Sequence, residues 1–298
     1  MEFTKMHGLG NDYIYINCLQ EHVDHPPALA RVISHRHTGV GSDGLILILP
    51  SETADLRMEI YNADGSRAQM CGNGIRCVAK YAMEHGLISP STAAAMNESW
   101  QDVRIETDAG VKPCRCQMSD GKIETVRVDM GQPVFDSAAM PSTINGDRIV
   151  NYPLGLKRPE PQASACANVR SCLVVTCVSM GNPHAVIFVE NLDSIALEVA
   201  GPLVTDAPEF PDRINTHFVE IDSAQHVTMK TWERGSGATR ACGSGACAVC
   251  VAGAITQRTK RKITATLPGG DLVLEWADDD HVYMTGPAVE VFSGTWPI

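Results

Sequence analysis

The sequence predicts an α/β protein of the α+β type, composed of two related domains whose sheets are mostly antiparallel. Three observations support this prediction: two motifs recur at one spacing, each half carries a similar order of elements, and short loops separate the strands that close each half. The chain has 298 residues, 44% of them hydrophobic and 20% charged. It can therefore bury two cores, and its composition is that of an ordinary globular protein.

A degenerate internal repeat sets the organisation of the chain. Gly10-Asn11 recurs as Gly181-Asn182, and the CGNG segment 71–74 recurs as the CGSG segment 242–245. Both motifs recur at one common spacing, called the repeat offset below, and it is too long for a solenoid, so it indicates two duplicated domains. The junction is expected just after residues 131–133, so that the N-terminal lobe spans 1–132 and the C-terminal lobe begins at 133.

In the first half, a strand is expected over residues 12–17, directly after the Gly-Asn motif. Pro26-Pro27 then begins a helix that is expected to bury one face. A second helix follows Cys71 and ends near Gly86, and its apolar stripe has the spacing of an amphipathic helix. The buried face of the first helix consists of Leu29, Val32 and Ile33, and the apolar stripe of the second consists of Ile75, Val78, Ala79 and Ala82. Later strands are expected at Val103–Thr107 and Val126–Met130.

The second half repeats this plan. An apolar strand is expected over residues 184–189, Asp193 is expected to cap a helix, and Gly201-Pro202 is expected to end it. The segment Ala246–Ile255 is apolar nearly all round, so this helix is expected to be enclosed by the sheet. The helix after Asp193 contains Ile195, Leu197 and Val199. The strands that close this half are expected at Ile263–Leu267, Leu272–Trp276 and Val282–Thr285.

Charge, hydropathy and cysteine usage exclude several classes of protein. A net charge of −11 disfavours nucleic-acid binding. The longest apolar stretch has 10 residues, half of the roughly 20 needed to cross a bilayer, so no membrane association is expected. The N-terminus shows no targeting signal, which indicates a cytoplasmic protein with reduced thiols among its 11 cysteines. Residues 89–101 and 155–171 have the composition of surface insertions.

Each repeated cysteine stands where a glycine-rich loop becomes a helix, a position at which free N–H groups and the helix dipole favour a thiolate. Two anion cradles can form from the backbone N–H groups of Gly72, Asn73, Gly243 and Ser244. If the two lobes face each other, one thiol lies on each side of a bound carbon acid. The sequence therefore predicts that one thiolate removes a proton beside a carboxylate and the opposite thiol returns one, with Cys71 and Cys242 as the pair.

Five groups of motifs carry a resemblance to a known family: HGLGNDY at 7–13, GVGSDG at 39–44, YNADGS and MCGNGIRC within 61–77, GNPH at 181–184, and ERGSGATRACGSGA at 233–246. In this order they resemble diaminopimelate epimerase, a cofactor-independent isomerase that interconverts LL- and meso-diaminopimelate in the synthesis of lysine and cell-wall precursors. The resemblance implies two lobes, each a mostly antiparallel sheet curled around a central helix. It also implies that residues 287–298 cross back to the first lobe, which leaves 133–286 for the second, and that the enzyme is a homodimer.

The same resemblance implies the residues of the site. Cys71 and Cys242 are the acid/base pair, and His184 and Glu233 tune the thiol pKa values, where an imidazolium would favour a thiolate and a carboxylate would oppose it. Arg234 can bind the distal carboxylate of the substrate, and Glu233 can bind its distal ammonium group. Substrate contacts are implied for Asn11, Asn62, Gly72, Asn73, Asn182, Asn215, Glu233, Arg234, Gly243 and Ser244. For His184, a bonded histidine without a role in the reaction is an equal alternative.

Other functions stay open at this point. A two-cysteine racemase for histidine or proline would share the thiol pair, although Glu233 and Arg234 favour a substrate with a charged distal end. A phenazine-pathway isomerase would share the fold without needing facing thiols. A metal or redox protein would use the CxxC pair Cys247 and Cys250, but that pair lies in an apolar helix without a second ligand pair, so no metal site is predicted. One departure from the family is Gly44, where many members have glutamine, so that substrate contact is absent or replaced.

Overall fold

A computed structural model describes residues 1–88, 100–137, 140–156 and 172–297. The chain divides into two compact units, residues 1–129 with 285–298, and residues 130–284. Most of the two segments interpreted as insertions, 89–101 and 155–171, lies outside the described residues. Residues 100–101, at the described end of the first segment, begin one strand, and residue 155, at the described start of the second, ends another.

The elements alternate between strands and a few helices. In chain order they are β1 (Glu2–Gly8), β2 (Asn11–Asn17), α1 (Pro26–Ile33), β3 (Gly44–Leu49), β4 (Leu56–Asn62), β5 (Arg67–Ala68), α2 (Gly72–Glu84), β6 (Trp100–Thr107), β7 (Gly110–Ser119), β8 (Lys122–Asp129), β9 (Tyr152–Gly155), β10 (Cys172–Ser179), β11 (Pro183–Val189), α3 (Leu197–Thr205), β12 (Asn215–Ser223), β13 (His226–Glu233), β14 (Gly237–Thr239), α4 (Gly243–Ile255), β15 (Lys262–Leu267), β16 (Gly270–Trp276), β17 (Val282–Pro287) and β18 (Val289–Thr295).

In the first unit, the strands surround α2, which packs against β1, β2, β6, β7, β8 and β18. Most neighbours are antiparallel, including β1 with β2 and with β18, and the meander β6 to β8. Two neighbouring pairs, β2 with β3 and β4 with β6, are parallel. Parallel neighbours need a crossover connection, which α1 provides between β2 and β3.

The second unit has the same plan. Its central helix α4 packs against β10, β11, β12, β15 and β16. The strands are again mostly antiparallel, with β11–β12 and β13–β15 as parallel pairs. The helix α3 connects β11 to β12, in the place that α1 takes in the first unit. The predicted fold class, mixed α/β with mostly antiparallel sheets around central helices, is confirmed.

The duplication extends to single residue pairs. In the first unit Tyr13 pairs with Gly44 across β2 and β3, and in the second His184 pairs with Asn215 across β11 and β12. Both members of the second pair follow their counterparts by the repeat offset. The central helices α2 and α4 share this offset at both ends. The offset therefore relates residues by structural position as well as by sequence.

Two details of the first-unit helices differ from the prediction. In α1, Val32 is 53% exposed, whereas Ala30 and Ile33 are buried and Leu29 packs against the same core, so the buried face includes Ala30 in place of Val32. Helix α2 is buried on all sides from Gly72 to Ala82 instead of along one stripe. Its polar residues are enclosed with partners: Lys80 Nζ, for example, donates to Glu84 Oε1 at 2.8 Å.

The expected stop at Gly201-Pro202 is wrong, because α3 continues through Pro202 to Thr205. Gly201 serves close packing instead: a Cβ atom there would lie 2.5 Å from Cγ of Trp232. Asp193 belongs to a short 3-10 turn whose cap is Asn191, so it does not cap α3. Among the described residues, no helix is long and apolar enough to span a membrane.

Candidate active site

The first candidate base, Cys71, is the N-cap residue of α2. Its backbone is extended, and its sulfur accepts a hydrogen bond from the N–H of Gly74 at 3.3 Å. The thiol in turn donates to Oδ1 of Asn11 at 3.4 Å. An N–H bond onto sulfur favours a thiolate, whereas a carbonyl acceptor favours the thiol, so both protonation states of Cys71 have a partner here. This is the balance that an exchangeable acid and base requires.

A network of charged residues orients Asn11. Its amide nitrogen donates to Oδ2 of Asp43 at 2.7 Å, and its Oδ1 accepts from Nδ2 of Asn73 at 3.2 Å. Arg36 bridges Asp43 and Asp12, each at 2.8 Å. Because Asp43 can only accept, the amide is held with its oxygen toward the sulfur. In this arrangement Asn11 orients the thiol, and its nitrogen is already engaged.

Tyr13 lies beside this thiol at the position opposite Gly44. Its hydroxyl interacts with the Asn11 amide and the Cys71 sulfur. Burial, followed by the charge of Cys71 and of Asp43, raises the pKa of Tyr13 well above 10. The phenol therefore keeps its proton at neutral pH and can donate a hydrogen bond to a thiolate at Cys71.

Gly44 has no room for the glutamine that the resemblance implies at this position. A Cβ atom at this position would lie 2.3 Å from the Tyr61 carbonyl oxygen and 2.9 Å from Cε1 of Tyr13. The ring of Tyr13 thus occupies space beside the glycine. A glutamine contact is accordingly not available from residue 44 in this protein.

We expect Gly44→Ala to lower the free energy of unfolding by about 1–3 kcal/mol, because one of the two close atoms belongs to the backbone and cannot rotate away. Urea denaturation of the variant measures the loss. Gly155→Ala is the matched control, since a Cβ atom at Gly155 meets nothing within 4 Å. Equal losses for the two variants would contradict the packing argument.

The second candidate base, Cys242, is the N-cap residue of α4 and is buried, with 5% exposure. Its backbone is extended like that of Cys71, and its sulfur lies 3.8 Å from Oγ of Ser244. Gly243 is buried and Ser244 is partly buried, and both belong to the first turn of α4, the position from which an anion cradle was predicted.

Near the end of β13, Asn215 holds the backbone of Arg234. Its Oδ1 accepts from the Arg234 N–H at 3.0 Å, and its Nδ2 donates to the Pro183 carbonyl at 3.1 Å. Asn215 is almost fully buried, while the side chains of Glu233 and Arg234 are partly exposed. Oε1 of Glu233 accepts from the Thr239 hydroxyl at 2.7 Å. Glu233 and Arg234 are therefore the charged groups of this part of the site that solvent and a ligand can reach.

His184 lies at the start of β11 and is fully buried. Its Nε2 lies 2.9 Å from Oδ1 of Asn182, and its Nδ1 lies 2.9 Å from Nε2 of His217. Burial, then His217 and the cation of Arg234, lowers the pKa of His184 well below 6.5. The imidazolium considered in the sequence analysis is thus not the form present at neutral pH. Any effect of His184 on the site acts through hydrogen bonds.

Asn62 ends β4 and pairs with Gly44, and its Nδ2 donates to Ser66 Oγ at 2.9 Å. The structure thus places every implied site residue near one end of a strand or helix. In the first unit it links Asn11, Cys71 and Asn73 by hydrogen bonds, and in the second it links Asn182 to His184 and Asn215 to Arg234.

Several supporting residues were not identified from the sequence. Arg76 is fully buried in α2, where Nη2 donates to Oδ1 of Asn73 at 2.9 Å and Nη1 donates to the Gly72 carbonyl at 3.1 Å. It holds the first two residues of this helix, which were predicted to form an anion cradle. A charged residue inside an apolar helix was the available signal. The others are Tyr13, Arg36, Asp43, His217, Thr231 and Thr239.

The remaining cysteines that the structure describes are thiols, and most are buried. Burial raises the pKa of Cys77 to about 11 and that of Cys250 to about 12. The thiol of Cys250 donates to the Arg261 carbonyl at 3.3 Å. Such thiols stay protonated at neutral pH, which sets them apart as structural residues.

Comparison with known proteins agrees with these residues. The family defined by diaminopimelate epimerase matches residues 3–135 and 176–291. The chain belongs to the diaminopimelate epimerase family. The diaminopimelate epimerase of Acetivibrio thermocellus is 48% identical over 295 residues, which cover 99% of this chain and 98% of that protein. The resemblance inferred from the motifs is confirmed, and the chain is an isomerase of this family.

Two solved structures share the fold of this diaminopimelate epimerase family member. A probable proline racemase from Agrobacterium radiobacter K84 superposes with a TM-score of 0.70 at 16% identity, covering 100% of this chain and 93% of that one. A PhzF-family phenazine biosynthesis protein from Bacillus anthracis gives 0.70 at 15% identity, covering 100% and 99%. At these identities the similarity shows the fold alone.

Proposed function

We propose that this member of the diaminopimelate epimerase family interconverts LL- and meso-diaminopimelate by transferring protons at the α-carbon between Cys71 and Cys242. The observation that carries the proposal is the matched position of the two thiols. Each caps the N-terminus of the enclosed helix of its own unit, and the repeat offset relates one to the other. The family relationship supports diaminopimelate as the substrate.

The chemistry needs one base and one acid on opposite faces of the carbon. One cysteine, as thiolate, takes the α-proton, and the electron pair of the broken C–H bond spreads into the neighbouring carboxylate. The other cysteine, as thiol, gives its proton to the opposite face, which inverts the centre. In the reverse direction the two exchange roles. The reaction is thus complete with two thiols and is proposed to need no cofactor.

Developing negative charge on the substrate carboxylate needs donors that are already oriented. The first N–H groups of α2 and α4 supply them, from Gly72, Asn73, Gly243 and Ser244. Arg76 supports the first set by holding Asn73 and the carbonyl of Gly72. We propose these four residues as the carboxylate cradle.

The distal amino acid group of the substrate carries both charges, so it requires an acceptor and a donor. We propose Glu233 for the ammonium group and Arg234 for the carboxylate, with the amides of Asn62 and Asn215 completing the site. Asn215 already fixes the backbone that carries Arg234. Proline lacks such a distal group, which favours diaminopimelate over a proline-type substrate.

We further propose that lobes 1–132 with 287–298 and 133–286 are the duplicated domains, and that they bring the two thiols to one substrate. The two compact units, which divide the chain at residues 129/130 and 284/285, support these bounds to within a few residues. A cytoplasmic homodimer is the proposed form of the enzyme. Sedimentation of the purified chain tests the oligomeric state.

The deciding experiment is incubation with LL-diaminopimelate in deuterated water. We expect the first meso product to carry deuterium at the inverted α-carbon while unconverted LL substrate keeps its proton, because each face is served by its own thiol. Mass spectrometry of the separated isomers measures both. Meso product that retains the original proton would rule out two bases, and absence of conversion would rule out the substrate.

Two control experiments test the alternative substrates and the metal-protein alternative. Proline and histidine, offered in place of diaminopimelate, are expected to keep their configuration. Enzyme dialysed against EDTA is expected to keep its activity, since the proposed mechanism has no step for a metal ion. Loss of activity on dialysis that zinc restores would support the metal-protein alternative instead.

A further inference from the structure

A buried chain of hydrogen bonds runs behind Asn182 in the second unit. His184 lies between Asn182 Oδ1 and His217 Nε2, at 2.9 Å from each, and His217 Nδ1 lies 3.0 Å from the hydroxyl of Thr231. Both histidines are fully buried, and Thr231 is 2% exposed. The chain thus connects one implied substrate contact, Asn182, to the interior of the sheet.

The first unit fills the same places with hydrocarbon. Ile46 and Ile60 precede His217 and Thr231 by the repeat offset, and each pair faces across equivalent strands, β3–β4 and β12–β13. Ile46 and His217 also occupy the same place against the central helix of their own unit. A Cβ atom on Gly74 would lie 2.6 Å from Ile46 Cδ1, and one on Gly245 would lie 2.2 Å from His217 Cε1.

The fold therefore does not require polar groups at these two positions. Isoleucine fills them in one unit, whereas a buried imidazole is tolerated only if both ring nitrogens find partners. The first unit holds Asn11 by a different route, through the carboxylate of Asp43. Because packing does not require polar groups at these positions, we expect His217 and Thr231 to have a role in the site.

The atoms along the chain fix the direction of its protons. Asn182 Oδ1 can only accept, so Nε2 of His184 carries a proton and its Nδ1 accepts one from Nε2 of His217. Nδ1 of His217 then accepts from the Thr231 hydroxyl. A second proton on His184 would place two N–H groups head to head between the rings, whereas a second proton on His217 would face the Thr231 hydroxyl. Burial lowers the pKa of both residues, so both histidines are neutral and in the same tautomer.

We propose that His217 and Thr231 are positioning residues that set the tautomer of His184 and so hold Asn182 with its amide nitrogen presented to the substrate carboxylate. The proposal rests on the function proposed above. It also makes the two duplicated asparagines complementary. Asn11 donates to the protein and turns its oxygen to a thiol, whereas Asn182 accepts from His184, and none of the residues that the structure describes accepts from its nitrogen.

Nitrogen NMR of histidine-labelled protein tests the tautomers without substrate. We expect His184 and His217, assigned by the single variants His184→Gln and His217→Gln, both to be protonated at Nε2 and unprotonated at Nδ1 at neutral pH. Protonation at Nδ1 in either ring would reverse the chain and overturn the proposal. So would an imidazolium signal from either residue.

Kinetics test the consequence for the reaction. Thr231→Val removes the donor that starts the chain, and we expect it to lower kcat by about tenfold and to give mixed histidine tautomers. Thr231→Ser, which restores the hydroxyl, is expected to recover most of both signals. Thr228→Val is the control, since that hydroxyl on the same strand bonds the exposed carboxylate of Asp222.

The possible results of these experiments distinguish failure of the positioning role from failure of the proposed function. Wild-type kcat and unchanged tautomers in Thr231→Val would overturn the positioning role even if the enzyme epimerises diaminopimelate. Equal losses in the valine and serine variants would also overturn it, because a packing defect would then explain both. If wild-type protein shows no epimerisation, the function fails, and the NMR result still decides the tautomers.

Discussion

Replacing Cys71 or Cys242 with alanine is expected to reduce the inversion of diaminopimelate by about 10²–10⁴-fold, the range that a single general acid or base supplies. Each variant lacks the proton carrier of one face but keeps the cradle of backbone N–H groups. The rate of meso product formed from the LL isomer measures the loss. Near-normal turnover in either variant would disprove the two-base assignment.

The two variants are also expected to differ from each other. A variant that keeps one cysteine can still remove the α-proton on that face and, after its thiol has exchanged with deuterated water, return a deuteron to the same face. It therefore exchanges deuterium into one isomer without inverting it. Cys71→Ala and Cys242→Ala should therefore exchange opposite isomers. Cys77→Ala and Cys250→Ala are matched controls on the same two helices, since these buried thiols belong to the core. Both controls are expected to invert the substrate at rates close to wild type.

The sequence was sufficient to predict the duplication because its landmarks lie at the starts of equivalent elements, the strands β2 and β11 and the helices α2 and α4. A cysteine followed by glycines at the same offset identifies both N-caps, and the apolar run Ala246–Ile255 identifies an enclosed helix. Those features depend on local chemistry. The fold class and the family therefore followed from residues that are close together in the chain.

The parallel pairings and the surroundings of α2 could not be predicted in the same way. A polar residue such as Arg76 suggests an exposed helix face, yet here it is buried because carbonyl and amide oxygens at the helix start accept its guanidinium protons. Helix α3 continues through Pro202, and Gly201 is needed for packing against Trp232, which is distant in sequence. Such features arise from contacts between distant segments.

Some supporting residues of the site could be recognised from the sequence only once the strand register was known. His217 and Thr231 look like ordinary members of a strand, and only comparison with Ile46 and Ile60 marks them as unusual. That comparison requires the strand register, since the repeat offset has structural meaning only where both units pair their strands alike. The sequence contained the signal, and the register made it interpretable.

The buried histidines are expected to make the protein sensitive to mild acid. Burial lowers the pKa of His217 to about 3 and that of His184 well below 6.5. An unfolded chain takes up protons on both as the pH falls below about 6.5, and the folded form does not. The free energy of unfolding is therefore full above pH 6.5 and decreases below it, down to about pH 3 for His217.

At pH 5.5 the two residues together are expected to lower the free energy of unfolding by about 3 kcal/mol relative to pH 7.5, since each contributes about 1.4 kcal/mol per pH unit. Urea denaturation at both pH values measures the change, in a window above the titration of ordinary carboxylates. His217→Gln, which keeps a hydrogen-bonding side chain that does not titrate, should remove about half of it. His22→Gln is the control, because that side chain is 86% exposed. A wild-type stability that stays flat between the two pH values would mean that the two histidines take up protons in the folded protein as they do in the unfolded chain, which would contradict the effect of their burial.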